Sequence, residues 1–277
     1  MNNDNLIATL AESAIKANPP TPTDYIDEEG FRCCAVCHER KETFRPELEI
    51  KVPCICRCEQ EKRNTEELKV RRTELFKAAL SQPVYQKVHN RYISECTFAN
   101  HDGAQPRALQ AAKHYVENWP EIRANGYGLY LWGECGTGKS FLAACIANAL
   151  RAQEIPVLMA STTRLLTYIN GAADSTGEVD SLNRYDLLVL DDFGAERQTP
   201  YMLEQLTSIV DERVNSRLPL LITSNVNPAQ LRNPTDGTAR LYDRIKECVP
   251  LELTGRSRRE ERASQSCSAM RDLLGLA

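Results

Sequence analysis

Residues 133–140 read Gly-Glu-Cys-Gly-Thr-Gly-Lys-Ser, a G-x-x-x-x-G-K-S spacing, and no other segment narrows the possible folds as much. A chain carrying it leaves a strand, turns on glycine and enters a helix, so that backbone N–H groups curl around phosphate oxygens. The flanks agree. Gly128 to Trp132 (GLYLW) is a short apolar run suited to a buried strand, and Phe141 to Arg151 (FLAACIANALR) carries apolar residues at helical spacing. Glycines keep side chains out of the turn, Lys139 reaches the β- and γ-phosphates of ATP, and the Ser140 hydroxyl is suited to Mg²⁺. The positive end of the following helix adds to the cradle. The expected nucleotide contacts are Gly133, Glu134, Cys135, Gly136, Thr137, Gly138, Lys139, Ser140 and Phe141.

The second half of such a site follows about fifty residues later. Leu187-Leu188-Val189-Leu190 is an apolar strand ending in Asp191-Asp192. A carboxylate at a strand tip holds Mg²⁺ beside the γ-phosphate, which assigns Asp191 to the metal and Asp192 to polarising the attacking water. Asn225, after the apolar strand Pro219 to Thr223, is placed to touch the γ-phosphate or orient water. Arg240 and Arg244 lie four apart on one helical face. That spacing suits an arginine reaching a neighbouring subunit's phosphate and equally a surface pairing with Asp243 or Glu247.

Between these motifs strand-like and helix-like segments alternate: Ile155 to Ala160, then Thr163 to Asn170; Asp186 to Leu190, then Tyr201 to Asn215; and finally Val249 to Leu253 after a loop and helix over Asp236 to Glu247. This order predicts an α/β fold with a parallel sheet, right-handed crossovers and ligand groups at the carboxyl ends of strands. A short helix from Leu6 to Lys16 and an amphipathic helix over about 59–81 are expected upstream.

Six of the eleven cysteines fall between Cys33 and Cys58. Cys34-x-x-Cys37 and Cys56-x-Cys58 form two close pairs suited to a tetrahedral structural Zn²⁺, with Cys33, Cys54 and His38 as alternatives in the register. Cys135 reads as a tolerated small residue in the loop, and Cys96, Cys145, Cys248 and Cys267 as ordinary core or surface positions. A formal charge of −4 excludes a global field that pulls the chain onto nucleic acid. No apolar run is long enough to span a bilayer and Met1 to Pro20 lacks the pattern of a signal peptide, so a cytoplasmic protein without membrane contact is expected. There is no nucleophile elbow and no Cys–His protease pattern, so a covalent hydrolytic route is not indicated.

The run from Tyr127 to Leu150, with DLLVLDDFGAER, LITSN, RLYDRIKECVPLELTGRSRR and the upstream cysteine pairs, resembles the DnaC/DnaI-type helicase loaders. These are AAA+ P-loop ATPases, and the likeness covers roughly residues 31–262. It implies ATP hydrolysis, delivery of a replicative hexameric DNA helicase onto single-stranded DNA, an N-terminal region that grips the helicase, and self-association through the ATPase domain. It implies sensor I at Asn225 and an arginine finger at Arg244, with Arg240 close by. It places Arg259 or a neighbour, Arg256 or Arg258, as a second nucleotide sensor, and Cys34, Cys37, Cys56 and Cys58 as zinc ligands. Asp192 stands where most AAA+ ATPases carry Glu. Transposition helper ATPases of the IstB type share the core, and a zinc-containing nucleotide-switch adaptor with negligible turnover is a third reading. The expected division is a flexible or short-helical 1–30, a zinc module over 31–60, a helical linker over 61–95, the ATPase domain over 96–262 and a tail over 263–277.

Overall fold

The computed structural model describes residues 19–276 except 48, 89–92, 94, 195–199, 233–238 and 256. The helix expected from Leu6 to Lys16 lies outside the described residues. The chain divides into two compact units, 1–73 and 74–277.

The first unit is built from two small antiparallel hairpins. β1 (Tyr25–Ile26) pairs with β2 (Arg32–Cys33), and β3 (Glu42–Arg45) pairs with β4 (Ile50–Pro53). Asp27 holds the first turn, its Oδ1 accepting from the N–H groups of Glu29 (3.0 Å) and Phe31 (2.8 Å). The buried side chains among the described residues of this unit are Cys33, Cys34, Cys56 and Lys41, whereas Ile26, Val36 and Phe44 are exposed. So small a unit without an apolar interior needs another source of cohesion, and the thiols occupy the place where one would act. Lys41 is neutralised by Asp24 at 3.0 Å. Burial alone would raise the Asp24 carboxyl, but hydrogen bonds from Thr21 and Lys41 hold it at about 2. The division between the units falls within α1 (Arg57–Leu80).

The second unit begins within α1 and continues with α2 (Pro83–Val88), α3 (Pro106–Glu117) and α4 (Trp119–Asn125). It then alternates: β5 (Leu129–Trp132), α5 (Lys139–Arg151), β6 (Val157–Ser161), α6 (Thr162–Asn170), α7 (Ser175–Ser181), β7 (Leu187–Phe193), α8 (Pro200–Asn215), β8 (Leu220–Ser224), α9 (Ala239–Ile245), β9 (Val249–Glu252) and α10 (Arg258–Leu273). The strands order as β6-β7-β8-β5-β9, and every pairing is parallel. This is the expected α/β, AAA+ P-loop architecture.

Strand periodicity explains why helices cover both faces of the sheet. Leu129, Leu131, Val157, Met159, Leu187, Val189 and Leu221 join one buried cluster with Leu142, Ile146 and Leu150 of α5. The alternate residues Tyr130, Leu158, Leu188, Leu190 and Ile222 join the other, with Leu165 and Ile169 of α6 and Leu206 and Val210 of α8. Successive side chains in a strand point to opposite faces, so a strand buried on both sides reads as an unbroken apolar run. Each such Leu or Ile contributes roughly 1.5–3 kcal/mol by burial.

One buried cation braces the amino ends of two strands. Arg213 of α8 is fully buried and donates to the carbonyls of Tyr185 (2.7 Å), Leu182 (3.3 Å), Asp186 (3.1 Å) and Pro219 (2.7 Å). Burial lowers its pKa to about 9. These carbonyls precede β7 and β8, so Arg213 ties the segments leading into the two strands together.

Candidate nucleotide site and thiolate cluster

Parallel strands aim their carboxyl ends at one edge, and the ends of β5, β7 and β8 carry the motifs expected of a nucleotide site. Gly133 leaves β5 with φ +146°, where a Cβ would collide with the Leu253 carbonyl beyond β9. Gly138 has φ +98° and a Cβ there would lie 2.8 Å from Arg258 Nη1. The loop is thus a close-packed backbone cradle that a side chain would fill. Within it Lys139 is buried and its Nζ donates to the carbonyls of Gly133 (2.9 Å) and Glu134 (2.7 Å). Thr137 Oγ1 also donates to the Glu134 carbonyl, at 2.9 Å.

Across the loop, β7 carries the two acids. Asp191 is half-buried; burial raises its pKa, opposed by hydrogen bonds from Thr223 and Ser140. Thr223 Oγ1 donates to Asp191 Oδ1 at 2.6 Å. Asp192 is exposed and has a left-handed backbone, φ +56°. Asn225 Nδ2 donates to Cys135 Sγ at 3.3 Å, so the residue after β8 meets the loop itself. Lys139, Ser140, Asp191 and Asn225 are therefore gathered at one edge of the sheet. Ser140 and Asp191 supply hard oxygen donors in mutual contact, a donor set that fits Mg²⁺.

The structure adds Asp102, Gln105 and His101, which the motifs did not announce, and of the second-sensor candidates it brings Arg258 to the loop. Gln105 Nε2 donates to the Thr137 carbonyl at 2.8 Å. The Arg258 N–H donates to the Gly136 carbonyl (3.0 Å), and its guanidinium pairs with Asp102 (2.7 Å). His101 packs against Phe141 with ring centroids 6.0 Å apart, and burial with nearby Arg258 lowers its pKa. Arg258 is thus the arginine brought against the loop. Arg256 and the side chains of Arg240 and Arg259 lie outside what is described.

Arg244 is elsewhere. Its Nε lies 3.0 Å from Asp211 Oδ1 and its Nη1 lies 3.6 Å from Glu247 Oε1. With Asn125, Arg217, Glu247 and Cys248 it lines a cavity of about 260 Å³ at the amino ends of β5 and β8, the opposite end of the sheet from the loop. Arg244 therefore does not meet the phosphate loop of its own chain.

In the first unit, the sulfurs of Cys34, Cys37, Cys56 and Cys58 lie within 4.8 Å of one another. Cys34 and Cys58 are 3.5 Å apart, and Cys56 and Cys58 3.4 Å. Four thiolates around Zn²⁺ at about 2.3 Å would sit roughly 3.8 Å apart, so the set fits a tetrahedral metal. Backbone N–H groups of Cys37 and Val36 lower the Cys34 thiol to about 6. Hydrogen bonding with Cys56, Cys34 and Cys37 pushes Cys58 up to about 12. A cluster that stabilises one thiolate and penalises the next is what a cation would resolve. The register alternatives are engaged otherwise: His38 Nδ1 with Tyr25 OH at 3.2 Å, Cys33 with the Phe31 carbonyl and Asp27, and Cys54 with the Arg40 carbonyl. Among the described residues no helix is long and apolar enough to cross a membrane.

Similarity to known proteins follows the same outline. The replicative helicase loader DnaI of Bacillus subtilis is 29% identical over 181 residues, covering 59% of this chain and 58% of that protein. The replicative helicase loader DnaC of Buchnera aphidicola subsp. Schizaphis graminum is 30% identical over 169 residues, covering 57% and 66% respectively. The chain thus spans less than two thirds of the length of either relative. The crystal structure of DnaI superposes with a TM-score of 0.52 at 27% identity, covering 61% of this chain and 93% of that one. The family model described as IstB-like ATP binding protein matches residues 61–266, most of the chain and all of the phosphate site. The chain belongs to the IstB-like ATP-binding protein family.

Proposed function

We propose that this protein is an ATP-driven loader that binds a replicative hexameric helicase and places it on single-stranded DNA. The observation that carries the reading is the likeness to replicative helicase loaders across the region that holds the whole nucleotide site. The gathering of Lys139, Ser140, Asp191 and Asn225 at one sheet edge supports ATP turnover by that region.

In this reading Lys139 exchanges the Gly133 and Glu134 carbonyls for the β- and γ-phosphates, and the loop N–H groups from Gly133 to Ser140 hold the remaining oxygens. Glu134, Cys135, Thr137 and Phe141 border the nucleotide. Ser140 and Asp191 hold Mg²⁺, which when bound neutralises phosphate charge. Asp192 takes the proton side of the attacking water, and Asn225 reports the γ-phosphate. Arg258, with Arg259 beside it, answers nucleotide from the far side of the loop. Arg244 leaves Asp211 to reach the nucleotide of a neighbouring copy, as an arginine finger does. Cys34, Cys37, Cys56 and Cys58 hold a structural Zn²⁺, and the unit they organise contacts the helicase.

Two measurements test this. ATP turnover is expected to rise with single-stranded DNA, and the chain is expected to co-purify with a replicative helicase in a manner that depends on ATP and on residues 1–80. Turnover indifferent to DNA, with capture of a transposase instead of a helicase, would favour the transposition-helper reading.

A further inference from the structure

β7 and β8 do not run in simple register where the two acids lie. Leu190 pairs with Ile222, but the next pairing is Phe193 with Ser224, so β7 holds one extra residue at Asp191-Asp192. A bulge of this kind leaves a backbone group without its ladder partner and re-aims the side chains beside it. Here the unpaired group is the Asp192 N–H, and it donates to Thr223 Oγ1 at 3.0 Å. The same hydroxyl has a single proton, which it donates to Asp191 Oδ1 at 2.6 Å. One buried oxygen therefore fixes the backbone of one acid and the carboxylate of the other. From the first residue of α6, just beyond β6 on the other side of β7, Thr162 Oγ1 donates to the Asp191 carbonyl at 3.0 Å, completing the grip on the bulge.

Packing does not explain the hydroxyl. Thr223 is fully buried in a strand whose preceding residues are Leu220, Leu221 and Ile222, and valine has the same branched shape and strand preference. The hydroxyl answers the two acids and not the core.

We propose that Thr223 is a positioning residue: it holds Asp191 facing Ser140 and sets the bulge that presents Asp192, so that β8, which leads to Asn225, also controls the aim of the metal-binding acid on β7. This rests on the reading of Ser140 and Asp191 as the Mg²⁺ donors.

The test uses the full chain and a fluorescent ATP analogue, with affinity measured with and without Mg²⁺, alongside turnover. Thr223→Val is expected to leave metal-free affinity within about twofold. It should weaken the Mg²⁺-dependent part of binding, and turnover, by about tenfold or more, the usual cost of removing a residue that orients a metal ligand. Thr223→Ser keeps the hydroxyl and is expected to restore both. Wild-type Mg²⁺ dependence in the valine variant, or a serine variant as impaired as valine, would overturn the proposal. So would an equal loss of metal-free affinity, which marks a general structural defect. Should valine prevent folding, Thr223→Ala against Thr223→Ser makes the same comparison. A wild-type chain that binds Mg²⁺ and ATP without turning ATP over would refute the ATPase reading, and the Mg²⁺ dependence of binding would still decide the role of Thr223.

Discussion

The side-chain amide of Asn225 donates to the sulfur of Cys135 at 3.3 Å, so the end of β8 and the phosphate loop are in direct contact. A thiol sulfur is a weak acceptor, and a γ-phosphate oxygen is a far better one. In the proposed reading Asn225 would exchange this sulfur for a γ-phosphate oxygen. Asn225→Ala is expected to keep ATP affinity within about threefold and to lower turnover by about 10–100-fold, the range for losing one preorganised donor. Equal losses in affinity and turnover would mean that Asn225 binds the ground state alone.

Lys139 is buried, and its Nζ donates to two loop carbonyls that phosphate oxygens would replace in the proposed reading. Lys139→Ala is expected to weaken nucleotide binding by about 100-fold or more, consistent with losing a charge-assisted contact. Titration of a fluorescent nucleotide checks it, with the melting curve showing that the fold survives.

Asp191 gives the clearest stability prediction. Burial raises its folded-state pKa above the ordinary value of 3.8. The folded state therefore holds its proton more tightly, and the ionised carboxylate destabilises the metal-free fold at pH above that raised value. The penalty is absent below 3.8 and grows as pH rises through the folded pKa. Asp191→Asn, which still accepts from Thr223, is expected to raise the metal-free melting temperature at neutral pH by a few degrees (about 2–4 °C per kcal/mol) while removing the Mg²⁺ dependence of binding. A lower melting temperature would contradict the assignment of Asp191 as a strained metal ligand.

Arg244 is about one-third exposed but pairs with the buried Asp211, so its loss should cost the fold about 1–3 kcal/mol. Arg244→Ala is expected to retain nucleotide binding and to lose the DNA-stimulated part of turnover. Mixing Arg244→Ala with Lys139→Ala chains should restore part of that turnover, because each then supplies what the other lacks. No recovery in the mixture would argue against a site shared between copies.

For the thiolate cluster, metal analysis of purified protein should give about one Zn²⁺ per chain. Cys34→Ser or a strong chelator is expected to unfold the first unit, whose described buried side chains are Lys41 and three cysteines, two of them in the cluster, with nucleotide binding by the second unit retained. A metal-free chain with a fully folded first unit would remove zinc from the account.

The strands and the phosphate loop were legible because their signals are local. A strand buried on both faces is an apolar run, as in Leu187 to Leu190, and a phosphate loop needs glycines at fixed spacing. The strand β7 nevertheless runs on to Phe193 through both acids, because its bulge depends on a hydroxyl from another strand. Thr223 could be suspected only from a hydroxyl at the end of the apolar Leu220-Leu221-Ile222. Gln105 meets the loop, and Asp102 the Arg258 guanidinium, through tertiary packing, and no spacing in the chain encodes that. Helix α3 was also not anticipated, although Pro106 at its first turn is a standard start signal. The hairpins of the first unit were hidden because their order comes from turns and thiols and not from apolar periodicity.

The most direct measurement is loading itself: transfer of a replicative hexameric helicase onto circular single-stranded DNA, followed by unwinding of an annealed strand. Wild-type chain with ATP is expected to support unwinding, while Lys139→Ala and a chain lacking residues 1–80 are not. Unwinding that is the same with and without the wild-type chain, or that proceeds equally with Lys139→Ala, would contradict an ATP-driven helicase loader.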